Sequence, residues 1–197
     1  MNDPMTVPAL PTRRPQRADA RRNYEKLLAV AREEFTEHGA SATLDDIARR
    51  AEVGPATLYR HFPTRQHLLE AVYLEEVEAM AQSAADLADL PPWDALEQWL
   101  HDFLGYAATK RALAEEMLAY IDQDAEVFRA CRVALRSAGD ALLGRAQAAG
   151  VVRPDASFMD VARLLGGIAA IPRAEPEEVE RIFDIVLDGL RYQAPGA

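Results

Sequence analysis

Proline placement constrains this chain more than any other feature of its sequence. A proline inside a helix removes a hydrogen bond and clashes with the preceding turn, and twelve prolines punctuate the 197 residues. Four fall within residues 1–15; the others, Pro55, Pro63, Pro91, Pro92, Pro154, Pro172, Pro176 and Pro195, mark the ends of stretches with helical periodicity. Nowhere is there a sustained period-two run rich in β-branched residues, so the fold class reads as all-α. With 49% apolar and 27% charged residues, the chain has the balance of a globular protein with a sizeable core, not of a disordered one.

Apolar spacing predicts nine helices. From Asp19 to His38, Tyr24, Leu27, Leu28, Ala31 and Phe35 form one stripe, and Gly39 suits the position just past a helix C-terminus. A short helix follows, capped by Thr43 with Asp46 three residues on, and presenting Leu44, Ile47, Ala48 and Ala51 to a core. The dipeptide Gly54-Pro55 starts a third helix, because proline is favoured at the first helical position. Thr64 caps a long fourth helix. Five more are predicted at about 92–108, 110–121, 125–149, 155–171 and 177–192. No period of 20 to 50 residues recurs, which sets a solenoid aside.

Several function classes fall away. The longest runs free of Asp, Glu, Lys and Arg are nine residues, Pro4 to Thr12 and Leu164 to Pro172, about half of what a bilayer-spanning helix needs. The opening residues lack a charged segment followed by an apolar one, and Cys131 is the single cysteine. The expectation is therefore a cytoplasmic protein with no disulfide framework, no membrane partner and no cysteine-based zinc site. A P-loop, GxGxxG and HExxH are all absent, and none of His38, His61, His67 and His101 follows a glutamate by three residues. Cys131 lies on an apolar stripe and reads as a buried thiol. No catalytic residue, metal ligand or cofactor is expected.

Charge is unevenly distributed. Residues 1–70 carry a net +1 and residues 71–197 a net −11, so only the N-terminal part suits a polyanionic partner. There the two short helices joined by Ala51-Glu52-Val53 have the size of a helix-turn-helix. Thr57, Tyr59, His61 and Arg65 place hydrogen-bond donors around a helix anchored by Leu58 and Phe62, and such donors suit phosphate oxygens. The same spacing also fits packing for Tyr59 and His61 and simple solvation for Arg65.

The segments LLAVAREEFTEHG, ATLDDIARRAEV and TLYRHFPTRQHLL, which together end at Leu69, resemble the DNA-binding domain of the TetR family of bacterial transcriptional regulators. The resemblance covers about a quarter of the chain. It implies a ligand-responsive regulator, usually a repressor, that binds a double-stranded palindromic operator as a homodimer and is released by a small-molecule effector. With four early prolines, few large apolar residues and Arg13, Arg14 and Arg17, residues 1–18 read as a flexible basic arm; the resemblance implies a helix-turn-helix domain at 19–66 and a helical effector and dimerisation domain at 67–197. Carried over residue by residue, it makes Thr43, Tyr59, His61 and Arg65 phosphate contacts and Pro55, Ala56 and Thr57 the groove-facing start of the recognition helix. Asp45 and Arg60 become base-edge contacts, with thymine methyl groups and DNA shape read by the donor-poor helix start. Two positions depart from the family pattern: Glu52 stands where a turn glycine is usual, and Gly54 where a serine often caps.

In the acidic remainder, Trp99, His101, Phe103, Tyr106, Met117, Tyr120 and Phe128 are the residues from which an effector pocket would be built. An aromatic stripe also serves as ordinary core. The last two helices have wide apolar faces carrying Phe158, Leu165, Val179, Ile182, Phe183 and Val186, which the resemblance assigns to the dimer interface and which also suit packing within one subunit. Two other classes stay open: a helical partner-binding protein that does not bind DNA, and a ligand-processing enzyme. Salt-dependent binding to a palindromic duplex separates the first from a regulator; turnover of a compound would mark the second.

Overall fold

The computed structural model describes residues 14–117 and 126–191. Eight α-helices occur among them: α1 Ala18–His38, α2 Leu44–Arg50, α3 Pro55–His61, α4 Arg65–Asp86, α5 Pro92–Met117, α6 Glu126–Ala148, α7 Phe158–Ile168 and α8 Pro176–Leu190. A 3-10 turn, Gly39–Ser41, links α1 to α2. Among the described residues there is no strand beyond one antiparallel bridge between Val152 and Arg191, so the fold is all-α. The difference from nine helices lies in α5, which runs on through Thr109 and Lys110 where a break was expected. Neither proline nor glycine occurs from Tyr106 to Met117, and nothing in that stretch stops the hydrogen-bond ladder.

Local chemistry sets most helix ends. Thr43 accepts a hydrogen bond from the Asp46 amide at 3.1 Å and so caps α2. Pro55 and Pro176 sit in the first turns of α3 and α8, where no amide is needed. Thr64 accepts from the His67 amide ahead of α4. Helix α7 begins later than its periodicity suggests because Ser157 and Asp160 form a reciprocal capping box.

The described residues fall into two compact units, one of 14–76 with 109–117 and 126–129, the other of 77–108 with 130–191. In the first, the stripe read from sequence is buried as a set: Tyr24, Leu27, Leu28, Ala31 and Phe35, with Ile47 and Ala48 from α2, Leu58 from α3 and Phe62 just past it. At about 1.5 to 3 kcal/mol for each large apolar side chain removed from water, these few residues hold the short helices α2 and α3, which are too short to persist alone.

Glu34 is the one charged residue buried among those described, at 6% exposure. Its carboxylate meets the Arg50 guanidinium and lies 3.1 Å from His38 Nδ1. Without such partners a buried carboxylate would cost several kcal/mol, so the pair ties α2 to α1.

In the second unit the interior is aromatic. Trp99 is fully buried and donates its indole N–H to the Met80 carbonyl at 3.0 Å. Its ring lies 5.4 Å from both Phe103 and Phe158. Phe158 sits where a Cβ on Gly139 would stand, 2.4 Å from its ring, so α6 and α7 approach closely only because residue 139 lacks a side chain. Arg145 closes the α4–α5 connection by donating to the Ala88 and Leu90 carbonyls at 2.8 and 3.1 Å.

Candidate nucleic-acid interface

The turn between α2 and α3 shows why two short helices cross where they do. The Val53 amide bonds to the Ala48 carbonyl at 3.0 Å and the Glu52 amide to the Arg49 carbonyl at 3.2 Å, the paired bonds of a Schellman motif. That motif needs a left-handed residue, and Glu52 supplies it with φ 55°. The strain expected at a non-glycine residue in this conformation is about 1 to 2 kcal/mol. Val53 and Ala48 are both buried beneath the turn, which gives the apolar contact that usually accompanies it.

Helix α3 stands on Leu58, at 0% exposure, and on Phe62 at its C-terminal edge. Opposite them, Pro55, Ala56, Tyr59 and Arg60 are exposed, and Thr57 is half-buried. Gly54 provides no side-chain cap. Its carbonyl accepts from the Thr57 and Leu58 amides at 2.8 and 3.2 Å, which leaves the first turn free of bulk.

The other predicted DNA contacts gather around this helix. Thr43 is exposed, and its hydroxyl donates to Asp46 at 2.6 Å. That bond, with Arg49 second, holds the Asp46 carboxyl below the ordinary range. Asp45 accepts a long bond from the Tyr59 hydroxyl at 3.5 Å. His61 packs edge-on to Tyr24 of α1, ring centroids 6.0 Å apart, and beside Phe62. Burial, then the nearby Arg60, lowers the His61 pKa from its ordinary 6.5. Arg65 differs from the rest. It turns inward, its guanidinium 4.7 Å over the Phe35 ring and donating to the Gly39 carbonyl at 2.7 Å and to that of Ala42.

The residues predicted for an effector pocket do not share one place. Trp99 and Phe103 belong to the aromatic interior with Phe158, and Tyr106 lies beside Phe103 at 5.6 Å. His101 is exposed, 3.5 Å from Glu180 and edge-on to Phe183 at 5.8 Å. It opens on a groove of 340 Å³ between α5 and α8, lined also by Asp94, Glu97, Asp102 and Asp184. In the other unit, Phe128 packs on Tyr73 at 5.2 Å. The Met117 side chain and Tyr120 lie outside the described residues. A Cβ added at Gly105 would meet nothing within 4 Å, so close packing does not account for that glycine.

The interface residues also separate. Phe158, Leu165 and Phe183 are buried within the chain itself at 2%, 0% and 2% exposure, whereas Val179, Ile182 and Val186 are half-buried. Sequence reading passed over Leu164 and Ile185, which are exposed at 54% and 65%, because periodicity alone does not separate a helix's two apolar edges. It also passed over Glu34 and Arg50. Glu34 follows Leu27 by seven residues and Ala31 by three, so a carboxylate on the apolar stripe was the available signal.

Similarity to known proteins agrees with this geometry. The sequence profile of bacterial regulatory proteins of the tetR family matches residues 27–72, which hold α2, α3 and most of α1. A second profile, the C-terminal domain of SbtR-like transcriptional regulators, matches residues 91–192, more than half of the chain. The chain belongs to the TetR family. A TetR transcriptional regulator of Streptomyces coelicolor is 40% identical, with a TM-score of 0.76 over 87% of this chain and 99% of that one. A TetR regulatory protein of Mycobacterium vanbaalenii is 35% identical, with a TM-score of 0.75 over 90% and 99%. The transcriptional regulator UidR of Escherichia coli is 30% identical over 121 residues, 60% of this chain. This chain spans only 56% of the length of UidR. The family is one of transcriptional regulators. None of its described helices is long and apolar enough to cross a membrane.

Proposed function

We propose that this protein is a cytoplasmic homodimeric repressor that binds a palindromic operator through paired helix-turn-helix units and is released by a small-molecule effector. The observation that carries this reading is the outer face of α3: Pro55, Ala56, Tyr59 and Arg60 exposed on a helix whose inner face, Leu58, is fully buried. In this reading Pro55, Ala56 and Thr57 lie against base edges, Arg60 and Asp45 reach neighbouring edges, and Thr43, Tyr59 and His61 bind phosphates. Residues 1–18 act as a basic arm, 19–66 read DNA, and 67–197 bind effector and partner.

The dimer surface is assigned to the sides of α7 and α8 that carry Leu164 and Ile185, with half-buried Val179, Ile182 and Val186. Gly166 and Gly167 support this assignment, since a Cβ on either would meet nothing within 4 Å in the single chain. That space suits the close approach of a second helix.

The test is selection of duplexes from a randomised pool by the wild-type protein, followed by titration against salt. The reading expects a palindrome with half-sites centred about 34 to 36 Å apart, or a multiple of that, and an affinity that falls steeply as salt rises. Failure to enrich any palindrome, or a flat salt dependence, would return the chain to the partner-binding class.

A further inference from the structure

We infer that Arg65 is a positioning residue which sets the front of α2 for DNA, and not itself a phosphate contact. The inference rests on the regulator reading above and deepens it. Arg65 opens α4, yet its side chain is half-buried and reaches back to the α1–α2 turn. One terminal nitrogen donates to the Gly39 carbonyl at 2.7 Å and the other to the Ala42 carbonyl, while the guanidinium carbon lies 4.7 Å over the Phe35 ring.

These two carbonyls bracket the turn. Gly39 begins it with φ 51°, and Ala42 immediately precedes Thr43, the residue that caps α2. Fixing both carbonyls fixes where Thr43 stands, and with it Asp45 in the first turn of α2. The Thr43 carbonyl also accepts from the Ile47 amide at 3.1 Å, so the strap acts directly on the first bonds of that helix.

Arginine suits this position for a geometric reason. Its planar fork donates in two directions while its charge lies over an aromatic ring, whereas a lysine ammonium is a point charge that makes no such fork. With both terminal nitrogens bonded to protein carbonyls and the side chain half-buried, the Arg65 head group is held against the α1–α2 turn. A phosphate contact, by contrast, needs positive charge at the surface and little else.

That difference makes the test. Arg65→Lys keeps the charge and loses the fork; Arg65→Ala loses both. Each is compared with wild type, well below its melting temperature, on the palindromic duplex that wild type selects and on an unrelated duplex of equal length. Positioning predicts that both variants bind the selected duplex about tenfold more weakly, as expected for loss of a hydrogen bond to a charged group. It also predicts a wild-type salt slope, unchanged binding to the unrelated duplex, and faster amide exchange at Asp46 and Ile47. Lysine binding like arginine, or a salt slope lower by about 1 in the alanine variant, would overturn the proposal in favour of a phosphate contact. Lower melting temperature with unchanged operator affinity would overturn it as well, leaving Arg65 a purely structural residue. Should wild type select no duplex, the regulator reading fails by itself, and amide exchange at Asp46 and Ile47 still decides whether Arg65 sets α2.

Discussion

Single residues in the reading unit carry opposing demands. Glu52 holds the left-handed corner of the α2–α3 turn at φ 55° and is exposed, so the strain is not offset by burial. Replacing it with glycine removes a penalty of about 1 to 2 kcal/mol but loosens the unfolded chain by roughly 0.5 to 1 kcal/mol. Glu52→Gly is therefore expected to stabilise by up to about 1.5 kcal/mol, read by chemical denaturation; a destabilised variant would show that Glu52 makes a compensating contact. His61 gives a pH dependence. Its folded pKa is depressed from 6.5, first by burial, so its contribution to stability is present above that value and is lost as pH falls through the folded pKa. The expected outcome is that His61→Phe flattens the change in unfolding free energy between pH 7 and pH 5. An unaltered pH profile would place the dependence on other groups.

Pairs of helices impose the next constraints. Gly139 and Phe158 let α6 and α7 meet, and a methyl group at 139 would collide with the Phe158 ring. Gly139→Ala is expected to cost about 1 to 3 kcal/mol, the usual range for overpacking, although alanine ordinarily strengthens a helix. Thermal melting checks this, and a stabilised variant would mean the ring moves aside freely. The uncovered sides of α7 and α8 lead to a different measurement. A charge placed in an apolar interface lacks a partner, so Leu164→Arg or Ile185→Arg should give folded monomers. Sedimentation velocity reads the outcome, and dimers that persist in both variants would move the interface elsewhere. Phe183 does not serve for this test, because arginine at a residue only 2% exposed would unfold the subunit before it tested assembly.

For the molecule as a whole, the uneven charge and the release mechanism can be examined together. The net −11 of residues 71–197 disfavours a polyanion there, so the proposed regulator is expected to draw its operator affinity from residues 1–70. If an effector weakens operator binding by some factor, the operator must weaken effector binding by the same factor, a coupling of typically 1 to 3 kcal/mol. Calorimetric titration of effector into free and operator-bound protein should give ratios that agree. An effector affinity indifferent to saturating operator would mean that the two sites are not linked.

The sequence by itself determined the helical class, the stripe on α1, the caps at Thr43 and Thr64, and the position of the helix-turn-helix, because each depends on spacing and short-range chemistry within a few residues. Set against the family pattern, in which glycine is usual at this position, it also marked Glu52 as the point of turn strain. Only the tertiary structure decided that α5 continues past Thr109, that Phe158 fills the space beside Gly139, and that Leu164 and Ile185 lie outside while Leu165 and Phe183 lie inside. The same holds for Arg65, whose place in the sequence also fits simple solvation but whose side chain reaches 26 residues back to Gly39. Which way an apolar edge or a long arginine turns depends on what folds against it, and a local pattern does not contain that information.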